Sequence, residues 1–240
     1  MAESLDVLAV AAHPDDVELT CGGTLIKMAD AGYRVGVLDL TGGETSTRGN
    51  TALRLKEAEK AAGIMGLVVR ENMGLPDAHL EDNQETRIKI ARVIRRLGPR
   101  VLILQNEQSR HPDHAIASTM THAAAFLAGL KKIEGKGRLL RPAKIIYCLA
   151  YIEHGPKPSF VVDISDQFER KLEAIMCYQS QFEGRCEAGE LFPNSQPLPE
   201  LVRTHAMHYG SMIRTLYGEP FYVRETLVVE DIVTMGVKSI

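Results

Sequence analysis

The segment Val7-Leu8-Ala9-Val10-Ala11-Ala12 is apolar without a break, and shorter runs of the same kind stand at Val35-Gly36-Val37-Leu38, Val101-Leu102-Ile103-Leu104 and Phe160-Val161-Val162. A strand that alternates apolar and polar residues can face water on one side. One without alternation must be covered on both faces, the condition of a parallel sheet flanked by helices. Between the runs lie stretches with helical spacing of apolar residues, Thr51 to Met65, Glu85 to Leu97 and the Ala-rich Pro112 to Leu130. The alternation predicts an α/β fold, Rossmann-like, with a mostly parallel sheet and helices on both faces. Such sheets bind ligands beyond the carboxyl ends of their strands. The residues just after each run are therefore where chemistry is expected.

The first run ends in His13-Pro14-Asp15-Asp16-Val17-Glu18, and Val101 to Leu104 is followed by His111-Pro112-Asp113-His114. A catalytic zinc ion takes three protein ligands from His, Asp or Glu and keeps a fourth position for water. His13, Asp16 and His114 would supply that set. Asp15 is then left over as a base to generate hydroxide, and His111 as a cationic donor to stabilise the oxyanion and assist the leaving amine. A single His-Pro-Asp is more often a turn with a satisfied histidine, but two copies, each after a buried strand, reverse that balance. Glu18, Glu44 and Asp113 read more simply as orienting groups. His79, His122, His154, His205 and His208 read as surface or core histidines.

The remaining chain reads as further βα units. A helix is expected from Gly22-Gly23 to Ala31, a strand at Leu67-Val68-Val69 and another over Ala143 to Leu149. Asp166 is placed to cap a helix through Tyr178. Glu183 to Pro199 has no periodic pattern and reads as a long loop, Glu200 to Leu216 as a helix and Thr226 to Val229 as a late strand. Gly22-Gly23 lacks the rest of a dinucleotide fingerprint, and the acids before it would repel a pyrophosphate. Cys21 could be a ligand or nucleophile, with a small buried filler the simpler reading.

With 240 residues, 45% hydrophobic and 25% charged, the chain suits one domain over 1–240. Its 28 basic and 31 acidic residues give a formal charge of -3, so neither nucleic acid nor an anionic membrane is an expected partner. No apolar stretch reaches the roughly 20 residues of a membrane span. The N-terminus is acidic, and the four cysteines form no CxxC pair. These features fit a reducing cytoplasm.

His13-Pro14-Asp15-Asp16 with Glu18, Gly22-Gly23, Thr41-Gly42-Gly43-Glu44, the Arg54/Glu57 helix and His111-Pro112-Asp113-His114 resemble the PIG-L/LmbE family of zinc-dependent deacetylases, which act on N-acetylglucosamine derivatives. The last third is similar to one branch, the N-acetylglucosaminyl-malate deacetylases of bacillithiol biosynthesis, in Phe160 to Ser165, Tyr178 to Phe182 and Gly210 through Phe221. The resemblance implies that His13, Asp16 and His114 bind Zn²⁺; another divalent ion such as Fe²⁺ could occupy the same ligands, since affinity alone does not choose the metal. It also implies that Asp15 is the general base and that His111 polarises the transition state with Asp113 behind it. Arg54 and Arg110 would lie near the substrate, a small amino sugar, with a surface ion pair to Glu57 the alternative for Arg54. A homo-oligomer is expected. Deacetylation of an inositol-linked or oligomeric sugar, or a sugar- or metal-binding role without turnover, are the competing readings.

Overall fold

The computed structural model describes residues 4–133, 135, 137–151, 155–182 and 197–237. The elements run β1 (Val7–Ala11), α1 (Asp16–Asp30), β2 (Val35–Thr41), α2 (Thr51–Met65), β3 (Val69–Leu75), α3 (Gln84–Leu97), β4 (Val101–Leu104), α4 (Pro112–Leu127), β5 (Lys144–Cys148) and β6 (Phe160–Asp163). They continue with α5 (Phe168–Ile175), the single turn α6 (Gln179–Phe182), α7 (Leu198–Met212) and β7 (Gly218–Tyr222). Seven strands form one sheet in the order β3-β2-β1-β4-β5-β7-β6. The first five are parallel, while β7 runs antiparallel to both β5 and β6.

Every residue of β1 and β2 is buried, as strands without alternation require. Leu8, Val10, Leu38 and Leu102 enter one core layer with Ile90, Ile94 and Met120 of α3 and α4. Val7, Ala9, Val35 and Val37 enter the other with Leu25, Ile26, Ala61 and Met65 of α1 and α2. The chain leaves β1 toward β2 and β3, then crosses to β4 on the opposite side of β1. The carboxyl ends of β1 and β4 therefore flank the point where strand order reverses, the place where open α/β sheets form a ligand crevice.

Local signals set the helix ends. Asn50 accepts a hydrogen bond from Leu53 N at the start of α2, and Asn83 does the same for Thr86 N at α3. Gly66 and Gly98, both left-handed, close these helices. In α4, Pro112 occupies the first turn, where its missing N–H costs nothing.

Several expectations are corrected. Helix α1 starts at Asp16 rather than after the glycine pair, and breaks at Cys21, whose φ of −142° is not helical. Its second half is restarted from outside: Glu219 of β7 accepts from Gly23 N, Thr24 N and Thr24 Oγ1 at 2.9, 2.7 and 2.6 Å. Lys171 pairs with the same carboxylate at 2.6 Å, and both side chains are buried. Gly23 lies there because a Cβ would meet Ile164 Cδ1 at 2.7 Å. Strand β3 begins where the short run at Leu67 was expected to end, since Leu67 N still bonds back to Ala62 O at the close of α2. Helix α5 starts at Phe168, with Gln167 rather than Asp166 at its cap, and ends before Tyr178. The expected Glu200 to Leu216 helix spans Leu198–Met212 and is followed by β7, while Thr226 to Val229 forms no strand and is exposed. Of the long loop read over Glu183 to Pro199, positions 183–196 lie outside the described residues, as does His154.

Candidate active site

His13 follows β1 directly and is 7% exposed. Its Nε2 is 3.0 Å from Asp77 Oδ1, and its Nδ1 is 3.2 Å from Asp16 Oδ2, which also accepts the His13 backbone N–H at 2.9 Å. Carboxylates only accept hydrogen bonds, so in a neutral imidazole one of these nitrogens must present a lone pair to an anionic oxygen. The other oxygen of Asp16 faces His114 Nε2 at 3.1 Å, and His114 Nδ1 meets Ser109 Oγ at 3.1 Å. One buried carboxylate thus has an imidazole nitrogen against each oxygen. That arrangement is favourable only with a cation between the groups, either a proton or a metal ion.

The electrostatics agree. Burial lowers the pKa of His13, but the Asp16 and Asp77 carboxylates outweigh it and push it up to about 11. Burial opposes ionisation of Asp16 too, yet His114 and His13 hold it well below the usual carboxylate range. This pocket is built for positive charge, and two nitrogens with a carboxylate suit a divalent ion. Among the described residues, two other triples have ligand atoms within 4.8 Å of one another: His13, His111 and His114, and His13, Asp77 and Asp113.

Asp15 caps α1 in a strained left-handed conformation, φ 105°, and makes no capping hydrogen bond of its own. Burial pushes its carboxyl up; Arg54 pulls it back and Asp16 adds to the rise, leaving it at about 7. Arg54, from the first turn of α2, donates Nη2 to Asp15 Oδ2 at 2.7 Å, and Nε and Nη2 to Pro14 O at 3.0 and 2.8 Å. It is 7% exposed. The guanidinium expected to grip substrate is thus engaged with the His-Pro-Asp-Asp backbone and Asp15. Gly43 makes room for it, since a Cβ there would collide with Arg54 Nη1. Glu57, the alternative partner, accepts instead from Ser180 N and Oγ at 2.8 and 2.6 Å.

His111 lies beside His13 and His114, with ring centroids 4.8 and 4.7 Å away. Its Nδ1 accepts from Asp113 N as the cap of α4. Burial and then the charge of His114 and His13 lower its pKa. With Nδ1 accepting that N–H, Nε2 is the nitrogen left to carry a proton and donate. The Asp113 carboxylate does not back His111: Oδ2 accepts from Ala78 N at 2.8 Å and stands 3.4 Å from His13 Nε2. Arg110 is exposed on the loop before α4.

Sequence reasoning missed Asp77. It follows β3 as Leu75-Pro76-Asp77, an acid after a strand end, and the signal was lost with the misplaced strand. The Thr41 to Glu44 loop does reach this rim, with Glu44 Oε1 accepting from Asp77 N at 2.7 Å. Glu18 belongs to a different network, with Arg70 and Tyr178, below the site. Cys21 is a buried free thiol within the core.

The profile of the PIG-L family, described as GlcNAc-PI de-N-acetylase, matches residues 8–125, which include both His-Pro-Asp segments. Diacetylchitobiose deacetylase of Thermococcus kodakarensis is 32% identical over 225 residues, covering 89% of this chain and 80% of that protein. A probable N-acetyl-alpha-D-glucosaminyl L-malate deacetylase 2 of Bacillus cereus is 29% identical over 75% of this chain and 86% of its own. A conserved protein of Thermus thermophilus, solved by crystallography, superposes with a TM-score of 0.84 at 38% identity, over 94% of this chain and 98% of that one.

Proposed function

Because this chain belongs to the PIG-L family of de-N-acetylases, we propose that it is a metal-dependent hydrolase that removes the acetyl group from an N-acetylglucosamine conjugate. The observation that carries the reading is Asp16, a buried carboxylate with an imidazole nitrogen 3.1–3.2 Å from each oxygen, next to the separately buried Asp15. His13, Asp16 and His114 would hold the ion, in preference to the three-histidine group, because His111 Nδ1 is already used at the cap of α4. We take the ion to be zinc, with Fe²⁺ able to occupy the same donors. Bound there, a divalent ion supplies Lewis acidity to a carbonyl oxygen and lowers the pKa of a water molecule.

The side chains supply the rest. Asp15 takes a proton from the attacking water, whose oxygen adds to the acetyl carbonyl carbon. His111 Nε2–H donates to the carbonyl oxygen as negative charge develops on it. When the C–N bond breaks, the proton held by Asp15 passes to the leaving nitrogen, giving acetate and a free amine. Arg54 keeps Asp15 in place through a charge-assisted hydrogen bond of 2.7 Å.

For the aglycone, we propose malate, as in bacillithiol biosynthesis, supported by the malate-deacetylase relative and by the exposed Arg110, which could pair with a carboxylate. The diacetylchitobiose deacetylase, similar over more of the chain, favours a second reading in which the aglycone is another sugar. A cytoplasmic location is supported by Cys21, Cys148 and Cys177, which are free thiols. No helix among the described residues is long and apolar enough to cross a membrane. The test is acetate release from N-acetylglucosaminyl-malate, diacetylchitobiose, the inositol conjugate and free N-acetylglucosamine, before and after chelation. Metal-dependent release with at least tenfold preference for the malate conjugate is expected. Preference for diacetylchitobiose would replace the aglycone, and no release from any of the four would overturn the deacetylase reading.

A further inference from the structure

We infer that Asp77 is a positioning residue, which holds the His13 imidazole in the tautomer that leaves Nδ1 for the metal. The inference rests on the metal-dependent reading above. Asp77 Oδ1 lies 3.0 Å from His13 Nε2, and Asp113 Oδ2 stands on the same nitrogen at 3.4 Å. None of the three carboxylates around the ring can donate; two of them stand at Nε2 and draw the ring proton there, which leaves the Nδ1 lone pair to a metal held between it and Asp16. A carboxylate behind a metal-ligating histidine fixes both ring orientation and basicity in this way.

Asp77 is itself held from four directions. Its Oδ2 accepts from Thr45 N at 2.9 Å and from Thr45 Oγ1 at 2.7 Å. Its own N–H donates to Glu44 Oε1 at 2.7 Å. The N–H of Ala78 donates both to Asp77 Oδ1 at 2.9 Å and to Asp113 Oδ2 at 2.8 Å. Ala78 adopts φ 59°, a left-handed conformation that a residue with a Cβ takes only when its surroundings impose it. Here the imposed geometry aims one N–H between two carboxylates, and so locks both against His13. The loop after β2 and the turn after β3 thus converge on one imidazole at the end of β1.

The experiment uses the zinc-loaded full chain and its Asp77→Asn and Asp77→Ala variants. Zinc dissociation constants are measured by competition with a chromophoric chelator, and kcat and KM on the preferred N-acetylated substrate at saturating zinc. A metal-positioning role predicts a rise in the zinc Kd of about 10- to 100-fold, larger for Ala than for Asn, with KM within a few fold of the parent. Unchanged zinc affinity with a raised KM would overturn the inference and make Asp77 a contact to the sugar. Thr45→Val, which removes one hydroxyl from Asp77 and leaves the site's own side chains intact, should shift the zinc Kd in the same direction by less; no shift counts against the inference even if the Asp77 variants fail to fold. A parent enzyme that deacetylates without holding zinc or any other divalent ion would instead overturn the metal reading.

Discussion

At Asp15 and Asp16 the chain turns two adjacent carboxylates to different partners. Asp15 is held by Arg54, while Asp16 lies between His13 and His114. The two should fail differently on substitution. Asp15→Asn should keep its metal and lose about 10²–10⁴-fold in kcat, whereas Asp16→Asn should lose metal affinity first. Elemental analysis beside steady-state rates separates the two, and an Asp15→Asn enzyme of near-parental kcat at full occupancy would remove Asp15 as the base. A second residue-scale prediction concerns stability. His205 accepts from Tyr151 N, and burial, with Lys171 and His208 adding to it, lowers its pKa from 6.5 to about 4. Between pH 6.5 and 4 the unfolded chain therefore binds a proton that the folded chain does not, so stability falls as pH falls through that window, by up to about 3 kcal/mol for this group. Tm followed from pH 7 to 4 should drop less steeply in His205→Gln than in the parent; parallel curves would refute the assignment. His13, Asp16 and His114 could be read from the sequence because each stands beside a strand end marked by an apolar run. Asp77, Thr45 and the use of His111 Nδ1 at the cap of α4 could not, because they depend on which loops meet and how the helix start closes.

Among the elements, α1 shows how a distant strand serves the site. Its first turn carries Asp16 at the rim, the kink at Cys21 changes its direction, and Glu219 from β7 caps the restarted half at Gly23 and Thr24. The Glu219 carboxylate also neutralises the buried Lys171. Glu219→Ala leaves that ammonium unpaired and three donors unsatisfied, so a loss of about 3–5 kcal/mol is expected, read as a fall in the urea midpoint at unchanged slope. A loss under about 1 kcal/mol would mean that the kink is held by packing alone. The parallel strands were legible because burial on both faces leaves them no polar positions. Strand β7, Gly218-Glu219-Pro220-Phe221-Tyr222, was not, because it runs antiparallel and includes a glycine, a proline and the helix-capping glutamate. Its pattern is that of a connection, and only its pairing with β5 and β6 makes it a strand.

The whole molecule follows from where the strand order reverses. Placing β1 between β2 and β4 brings the two His-Pro-Asp segments, about 100 positions apart in the chain, to one crevice, and the apolar runs alone were enough to anticipate it. Which surface would carry the expected assembly was not legible, because exposed apolar residues have no periodicity to betray a partner. Val228, Ile232 and Val233 are 89%, 81% and 87% exposed, and the homo-oligomer expected from the sequence is a proposal that would give them a partner surface. Light scattering should give a multiple of the chain mass, and a single-chain mass at micromolar concentration would contradict it. The central claim is that one divalent ion sits among His13, Asp16 and His114. Anomalous diffraction collected at the zinc edge, on crystals of enzyme shown to be active, tests it directly. One strong peak is predicted within about 2.0–2.2 Å of a nitrogen of His13, a nitrogen of His114 and an oxygen of Asp16; a peak among His13, Asp77 and Asp113, or no metal peak at any edge in active crystals, would contradict it.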